Sequence, residues 1–380
     1  MNPSHGIDVA VIGGGPIGLA SAWRAAQRGL RVCVFDAGGP GAWNVAAGML
    51  APVAEADHAE QALLGLGLRA AAGFAAFAEE LADASGRDPG LRRTGTLLVA
   101  SDRDDAEALD RMLAVRRGLG LQVERLRPSQ ARRAEPALAP TVRLALDLPD
   151  DHSVDPRRLV AALADAVERA GGTVNAHTPV RGVAVEHDRV HGVLLSDGTK
   201  IAAGAVLVAA GAHTARLEGM PADALVPVRP VKGQVLRLRD PRGPGLVDRT
   251  LRTQDAYLVP RADGRYVLGA TMEERGFDTA PTAGGVFELL RDVGEIVPGA
   301  YELEIEELLA GLRPATPDNL PAIGPGTLTG LVWATGHHRN GILLSGLTGG
   351  LAAAALLGEP LPDWAAPVDP ARFARAKAHA

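Results

Sequence analysis

Cysteine and aromatic residues are both scarce in this chain of 380 residues. The one cysteine, Cys33, excludes an internal disulfide and a cysteine-built metal cluster, and it fits a reducing compartment such as the cytoplasm. Because Cys33 lies in an apolar run, core packing is favoured over a reactive or cofactor-attached thiol. Aromatic residues make up only 3% of the chain, so alanine, leucine and valine must fill the core.

Lysine is also rare, and positive charge is not concentrated anywhere. Lysine occurs only at Lys200, Lys232 and Lys377, and the net charge of −6 with no basic block argues against nucleic acid as a partner. The N-terminus lacks the basic and apolar regions of a secretion signal. The apolar run 342–357 is too short and too rich in glycine to span a bilayer, so we expect a packed helix and no membrane partner.

The most informative stretch is an apolar strand over residues 7–12 followed by Gly13-Gly14-Gly15-Pro16-Ile17-Gly18. In a strand–turn–helix unit, Gly13 permits the tight turn, Gly15 lets the backbone approach a pyrophosphate, and Gly18 lets the helix pack closely. A second strand delivers Asp36 about 20 residues after the turn, where a carboxylate can bind ribose hydroxyls. A glycine-rich hairpin would leave Asp36 and the helix unexplained, so the pattern predicts dinucleotide binding.

The chain length indicates two domains. We expect an α/β fold, in which a Rossmann-like nucleotide-binding domain is interleaved with an α+β substrate domain built on a mainly antiparallel sheet. The expected nucleotide domain comprises residues 1–85, 150–222 and 318–365. Residues 86–149 and 223–317 then form the substrate domain, and 366–380 a C-terminal tail.

Local patterns predict the main elements. A long alanine-rich helix is expected over 56–84, and an amphipathic helix over 102–118. Asp155 and Pro156 predict a helix start, with its end at Gly171. The segment 227–311 alternates between apolar and polar residues and is expected to form strands, including one over 302–308.

Three further motifs occur in order along the chain. Ala46-Ala47-Gly48-Met49-Leu50-Ala51-Pro52 follows the second strand, and Gly311-Leu312-Arg313-Pro314 and Gly336-His337-His338-Arg339-Asn340-Gly341-Ile342 come near the C-terminus. With Tyr257-Leu258-Val259-Pro260-Arg261 and Gly269-Ala270-Thr271-Met272, they make the chain resemble the D-amino acid oxidase superfamily of flavoproteins, and within it the glycine oxidase family. This resemblance covers nearly the whole chain and implies non-covalent FAD and an amino-acid substrate.

The resemblance also implies residue roles in the substrate pocket. Arg313 would hold the substrate carboxylate with two parallel hydrogen bonds, as a planar guanidinium can. Tyr257 would bond the same carboxylate, Met272 would form a pocket wall, and Arg339 would contact the substrate or the flavin edge. A surface arginine, simple packing of Tyr257 and Met272, and a structural ion pair of Arg339 are the respective alternatives.

Other matched positions would contact the cofactor. Gly48, Met49 and Ala51 would lie against the isoalloxazine, beside Ala47, and Val180 would bond adenine through its backbone. The expected helix start over 341–343 would present N–H groups to the flavin. The remaining expected cofactor residues are Pro16, Ile17, Ala210, Gly211, His337, His338, Asn340, Gly341 and Ile342. Since no third ligand is nearby, His337 and His338 are not interpreted as a metal site, and polar loop residues are the alternative.

Three further positions bear on the predicted site, and two of them depart from the family pattern. Lys232 suggests an oxygen-activating role, for which a surface charge is the plainer alternative. Asp36 replaces the glutamate common in the family but keeps both acceptor oxygens. Asp255 stands where some members carry histidine, which affects the pocket mouth and the substrate range.

The sequence thus predicts oxidation of glycine, sarcosine, D-alanine or D-proline, with hydride transfer from Cα to flavin N5 and O2 as the electron acceptor. The products would be an oxo acid, ammonia or an amine, and hydrogen peroxide. The resemblance further suggests a cytoplasmic tetramer that supplies glycine imine for thiazole formation in thiamine synthesis. A D-amino acid dehydrogenase that reduces a quinone and a flavin-binding protein without turnover are the alternatives.

Overall fold

The computed structural model describes residues 6–56 and 59–373. Within these residues the chain forms eight α-helices and nineteen strands. The helices are α1 (Pro16–Gln27), α2 (Ala42–Val45), α3 (Gln61–Ser85), α4 (Arg103–Gly118), α5 (Pro128–Ala134), α6 (Pro156–Arg169), α7 (Ala283–Ile296) and α8 (Ser345–Leu356). The strands are β1 (Ile7–Ile12), β2 (Val32–Phe35), β3 (Met49–Leu50), β4 (Leu91–Arg92), β5 (Thr96–Ala100), β6 (Glu124–Leu126), β7 (Leu144–Leu148), β8 (His152–Val154), β9 (Thr173–Asn175), β10 (Val180–Glu186), β11 (Arg189–Leu195), β12 (Lys200–Val208), β13 (Arg229–Arg239), β14 (Thr250–Arg252), β15 (Tyr257–Pro260), β16 (Arg265–Gly269), β17 (Glu304–Ala315), β18 (Ala322–Pro325) and β19 (Leu331–Thr335).

The first sheet has eight strands around a parallel centre. Its main path is β10-β11-β12-β1-β2-β9, with β19 parallel to β12 and β18 antiparallel to β19. Strands β1 and β2 are almost continuously apolar because helices cover the sheet, as is usual for parallel strands. Residues of α1, α3, α6 and α8 form the largest core cluster with these strands.

The second sheet also has eight strands, in the order β17-β13-β16-β15-β14-β5-β7-β6. All neighbours are antiparallel except β14 and β5. One face of this sheet packs on α7, where Leu236, Leu258 and Leu268 meet Leu289 and Val293. The predicted fold class, a Rossmann-like α/β region combined with a mainly antiparallel sheet, is therefore confirmed.

Helix ends follow local chemistry. The Asp155 carboxylate accepts a hydrogen bond from the Arg157 N–H at 2.9 Å, and Pro156 begins α6 as expected. Asp102 likewise accepts from the Asp105 N–H at 2.8 Å at the start of α4. Helix α3 begins at Gln61, later than expected, and ends at Gly86, which adopts φ +69°.

Helix α3 is the one helix of the described chain with the length and apolar composition to cross a membrane. The core helix of a soluble protein passes the same test. One face of α3 is buried, since Leu66, Phe74, Phe77 and Leu81 join the core between α6 and α8. This burial fits a core helix.

Two element predictions near the site are wrong. Strand β17 does not end near residue 308 but continues to Ala315, because it pairs with β13 along its whole length. Helix α8 does not begin at 341–343. Residues 341–344 form turns, in which the Ser345 N–H donates to the Ile342 carbonyl at 3.2 Å, and regular helix begins at Ser345.

Candidate functional site

The glycine turn after β1 is tightly packed against neighbouring backbone. Gly13 adopts φ +107°, and a Cβ there would lie 2.5 Å from the Ala209 carbonyl oxygen. A Cβ on Gly18 would lie 2.0 Å from the Gly13 carbonyl oxygen. Both positions therefore require glycine, and α1 packs directly against the turn.

Gly15, by contrast, is open on the side where a ligand would approach. A Cβ at this position would meet only Trp43 Cδ1, at 3.5 Å. Gly15 is the N-cap of α1 and Pro16 is its first residue, so the first-turn N–H groups, including that of Ile17, point outward from the helix end. Such an end attracts a pyrophosphate.

Asp36 lies at the carboxyl end of β2, beside this turn. Its carboxylate accepts hydrogen bonds from the Gly14 N–H at 2.7 Å and the Gly38 N–H at 2.8 Å. The Thr178 N–H donates to the Asp36 carbonyl at 2.7 Å, which brings the segment leading to Val180 next to the same strand end. These residues fit a dinucleotide cofactor, because an open glycine, a helix N-terminus and an oriented carboxylate converge.

The segment that carries Ala47, Gly48 and Met49 is held by backbone contacts. Gly48 adopts φ +78°, and a Cβ there would lie 2.0 Å from the Val154 carbonyl oxygen. The Val154 N–H donates to the Gly48 carbonyl at 2.8 Å. Ala47 is buried, while Met49 is partly buried between two apolar clusters. Ala51 is also buried, with its side chain in the core of the second sheet.

Strand register places the two main candidate residues on one face of the second sheet. Arg313 pairs with Val231, and Tyr257 pairs with Gly269, which also pairs with Val235. Side chains alternate along a strand, so all these residues share a face. Val235 and Val259 on this face pack against Val45 and Ala47 from the first half of the chain.

Glycines lie beneath both side chains. A Cβ on Gly233 would meet the Arg313 guanidinium at 2.4 Å, and one on Gly269 would meet the Tyr257 hydroxyl at 2.6 Å. Arg313 Nη1 donates to the Thr271 carbonyl at 3.0 Å and to the Lys232 carbonyl at 3.3 Å. These bonds fix the guanidinium plane. Arg313 is thus a partly buried residue of β17 that backbone carbonyls hold in place, and it does not lie on a surface loop.

Tyr257 lies in the electrostatic field of Arg313. Burial raises the pKa of the Tyr257 phenol above its ordinary value, and the Arg313 guanidinium acts in the opposite direction. The phenol is therefore protonated near neutral pH and can donate a hydrogen bond to an anion. A guanidinium and a phenol on one sheet face can together bind a carboxylate.

The structure contradicts two of the plainer alternatives: core packing for Met272 and a surface charge for Lys232. Met272 is 60% exposed, so core packing is excluded. The Lys232 side chain is fully buried, and its Nζ donates to Asp278 Oδ2 at 2.8 Å and to the Ala280 carbonyl at 2.7 Å. The surface-charge prediction for Lys232 is wrong. Because β13 alternates, Lys232 also points away from the face of Arg313, which removes the basis for an oxygen-activating role.

Arg339 belongs to a small charged cluster at the edge of the site. Glu55 lies between two guanidinium groups, with Oε1 3.1 Å from Arg252 Nη1 and Oε2 3.8 Å from Arg339 Nε. Glu55 and Arg252 both affect the pKa of Tyr257, which places the cluster beside the phenol. This arrangement matches the structural ion pair given above as the alternative for Arg339, and its partner Glu55 carries no signal in the sequence.

The two adjacent histidines have different surroundings. His337 is buried, and its Nε2 lies 2.9 Å from Thr348 Oγ1 of α8. Burial lowers the pKa of His337 to about 3. His338 adopts φ +45°, and burial together with Arg339, Arg313 and Arg229 lowers its pKa to about 4. Both imidazoles are therefore neutral near pH 7.

The remaining predicted cofactor residues lie at two turns. Ala210 and Gly211 follow β12, and the Ala209 N–H donates to the Ile12 carbonyl, so this turn lies beside Gly13. Asn340 and Gly341 follow β19 in the helical turn that leads to α8. Ile342 is buried in the main core, which leaves only its backbone for a ligand.

Arg261 also contacts a segment of the candidate site, although no motif of its own distinguishes it from its neighbours in the sequence. It continues the alternation of Tyr257 and Val259, and its Nη2 donates to the Ala47 carbonyl at 2.6 Å. The period of two along β15 is the signal that could have found it.

Comparison with known proteins defines the class. The family model described as "FAD dependent oxidoreductase" (DAO) matches residues 8–355. The chain therefore belongs to the DAO family of FAD-dependent oxidoreductases and is an enzyme whose cofactor is FAD.

Individual relatives narrow this class. The chain is 38% identical to a glycine oxidase from Geobacillus kaustophilus, over 92% of this chain and 93% of the relative. The crystal structure of glycine oxidase from the same organism superposes with a TM-score of 0.89 at 36% identity, over 96% of this chain and 98% of that one. Hydrogen cyanide synthase subunit HcnC from Pseudomonas aeruginosa is 32% identical over 98% of this chain and 97% of its own. The "Bifunctional protein ThiO/ThiG" of Synechocystis sp. is 33% identical over 96% of this chain and 54% of its own. The relatives support an FAD-dependent amine oxidase that acts on an amino acid.

Proposed function

We propose that this enzyme oxidises glycine, and also sarcosine, D-alanine and D-proline, to the oxo acid and ammonia or an amine. The observation that carries this proposal is the pairing of Arg313 and Tyr257 on one sheet face, each above a glycine. The pair provides a cation and a hydroxyl for one carboxylate, and it demands no further group from the substrate. A small amino acid meets that requirement.

Arg313 anchors the substrate carboxylate through the N–H groups that it does not use within the protein. Among the described residues, its Nη1 alone donates to protein groups. Tyr257 adds a donor from the neighbouring strand. Two fixed donors leave the substrate little rotational freedom and so orient its Cα–H bond, which lowers the entropic part of the barrier.

FAD, when bound, would supply the acceptor for the hydride equivalent of the substrate carbon, with O2 as the final acceptor that is reduced to hydrogen peroxide. We infer that Gly13, Gly15 and the α1 end would hold its phosphates and that Asp36 would hold its ribose. The segment from Ala47 to Ala51 would receive the isoalloxazine. Val180, Ala210, Gly211 and residues 337–342 would complete the site. We also infer that the domain divisions predicted from the sequence hold.

A single experiment tests the reaction. The yellow holoenzyme is mixed anaerobically with glycine, sarcosine, D-alanine and D-proline while the visible flavin absorbance is recorded. We expect bleaching by at least one of these amines, followed by peroxide when air is admitted. Bleaching without peroxide would indicate a dehydrogenase with another acceptor, and no bleaching by any amine would contradict the proposal.

A variant pair tests the anchor. Arg313→Leu should raise KM for glycine by a factor of about 30 or more, the equivalent of about 2 kcal/mol for a lost charged hydrogen-bond partner. Arg229→Leu is the matched control, because Arg229 lies on the same sheet face but is half-exposed and pairs with Glu274. An unchanged KM in Arg313→Leu would eliminate this role.

We further propose that the imine product supplies thiazole formation in thiamine synthesis. This proposal is supported by the similarity to relatives named "Bifunctional protein ThiO/ThiG". The similarity to the hydrogen cyanide synthase subunit favours a second candidate, in which glycine is oxidised further. Analysis of the products formed from glycine, with glyoxylate and ammonia on one side and cyanide on the other, distinguishes the two.

A further inference from the structure

Two arginines are buried beneath the segment that is proposed to receive the flavin. Arg237 and Arg261 have side chains that are only 7% and 6% exposed. Arg237 pairs with Val267, which also pairs with Val259, so both arginines belong to the sheet face of Tyr257. They are therefore part of the wall that faces the first half of the chain.

The Arg261 guanidinium ends on a backbone carbonyl of that segment, and the Arg237 guanidinium ends on one in α2, shortly before it. Arg261 Nη2 donates to the Ala47 carbonyl at 2.6 Å, and Arg237 Nη2 donates to the Asn44 carbonyl at 2.8 Å. The next carbonyl, that of Gly48, accepts from the Val154 N–H at 2.8 Å. Charged donors and one strand thus fix the backbone on both sides of the Ala47–Gly48 peptide.

Arg261 is held at a considerable electrostatic cost. Its nearest carboxylate oxygen, Asp155 Oδ2, is 3.7 Å from Nε, and within the described chain both Nε and Nη1 are buried without a hydrogen-bond partner. Burial lowers the pKa of Arg261 to about 10, so it still carries its charge at neutral pH. An apolar side chain of similar volume would fill this space at lower cost. Packing alone does not account for an arginine here.

We propose that Arg261, assisted by Arg237, is a positioning residue for FAD: it holds the Ala47–Gly48 peptide in the conformation that receives the isoalloxazine. The inference rests on the proposed placement of residues 47–51 against the cofactor. It assigns no contact with the substrate to Arg261, because the side chain ends on the Ala47 carbonyl. The effect of its loss should therefore appear in cofactor binding.

The test measures FAD affinity directly. Apoprotein of the wild type, Arg261→Met and Arg261→Lys is titrated with FAD, and binding is followed by the quenching of flavin fluorescence. Loss of a charge-assisted hydrogen bond should weaken binding about 10- to 100-fold in Arg261→Met. Arg261→Lys keeps the charge and one donor, so its FAD affinity should lie between those of the wild type and Arg261→Met. The visible flavin spectrum of the Met variant should shift, whereas KM for glycine at saturating FAD should stay within about threefold of the wild type.

Arg239→Met is the matched control, since Arg239 lies on the same strand but is 54% exposed beside Glu306. Wild-type FAD affinity in Arg261→Met, or an equal loss in Arg239→Met, would overturn the inference. If Arg261→Met does not fold, wild-type affinity and spectrum in Arg261→Lys would overturn it. Since the titration contains no amine, failure of the amine-oxidation proposal is registered separately, by the bleaching experiment.

Discussion

At the scale of single residues, the site depends on groups whose surroundings fix their protonation. His337 is kept neutral by burial against α8, and burial reinforces the protonated state that the Tyr257 phenol already has at neutral pH, since it raises the pKa. The neutral His337 bonds Thr348 and so ties the end of β19 to α8. A proton on this imidazole would be a buried charge for which the described residues provide no counter-ion.

His337 should make stability depend on pH. Its pKa is about 3 in the folded protein and about 6.5 in the unfolded chain, so only the unfolded state gains a proton as the pH falls below 6.5. Its contribution to stability is fully present above pH 6.5 and is lost towards pH 3. Between pH 6.5 and 5 we expect the wild type to lose about 2 kcal/mol through this residue.

Urea unfolding of the FAD-saturated protein at pH 6.5 and pH 5 measures this loss. His337→Gln should lose about 2 kcal/mol less than the wild type over that interval. His191→Gln, at a partly exposed position of β11, serves as the control and should retain the wild-type dependence. Identical pH dependence in His337→Gln and the wild type would show that the imidazole is not the group responsible.

Residue identities near the site were predictable only where a motif marked them. Arg313 and Tyr257 lie in recognisable runs, and the structure places them together. Glu55 lies outside these runs, and Arg261 has no signal of its own although it ends the run that holds Tyr257. The contacts that matter for both are with residues far away in the chain: Arg339 for Glu55 and Ala47 for Arg261. Contacts of this kind appear only when the register of strands is known.

At the scale of elements, β13 separates two environments. Its odd-numbered residues from Val231 to Arg237 face the site, and its even-numbered residues face α7. Lys232 belongs to the second set, where it anchors Asp278 and Ala280 ahead of α7. A lysine near the site in sequence is thus a structural group on the opposite face.

Lys232→Met should therefore reduce stability and leave substrate binding intact. It removes hydrogen bonds to Asp278 and Ala280, so we expect the free energy of unfolding to fall by about 1–3 kcal/mol. Thermal unfolding measures this loss, and KM for glycine should be unchanged. Lys200→Met is the matched control, because the Lys200–Glu186 pair is exposed and should contribute under about 1 kcal/mol.

The opposite result would be informative. If Lys232→Met had wild-type stability but greatly slowed oxidation of the reduced flavin by O2, the oxygen-activating role would return. Because the Lys232 side chain lies on the face of β13 opposite to Arg313, its effect on the flavin would then have to be transmitted through the strand.

Prediction of elements from the sequence was best for long, strongly patterned segments. The helices that begin after Asp102 and Asp155 have capping carboxylates, and the structure shows their starts as expected. The small sheet β3-β8-β4 was missed because strands of two or three residues carry no periodicity. The length of β17 was missed because it follows from pairing with β13, which is tertiary information.

At the scale of the whole molecule, the candidate site takes residues from both large sheets. The glycine turn and Asp36 belong to the first sheet, while Arg313 and Tyr257 belong to the second. An ion pair between Arg157 of α6 and Glu307 of β17, with N–O distances of 2.6 and 2.8 Å, also joins the two parts. We therefore expect the two sheets to unfold together and the bound cofactor to stabilise both.

Removal of FAD should lower the melting temperature of the entire molecule. A ligand that binds only the folded state, at 100 times its Kd, adds about 2.7 kcal/mol of stability. For a protein of this size we expect a shift of several degrees in calorimetry, at about 2–4 °C for each kcal/mol. Two separate transitions, of which FAD moves only one, would contradict the coupling between the sheets.

The glycines under the carboxylate anchors have an evolutionary consequence. A larger residue at position 233 would displace the guanidinium above it, and one at position 269 would displace the phenol. The dependence runs one way, because a larger residue at either position would press on its anchor, whereas the anchor can change above an unchanged glycine. Lineages that keep this mode of recognition should therefore keep both glycines, and an engineer who enlarges the pocket can replace an anchor while its glycine stays.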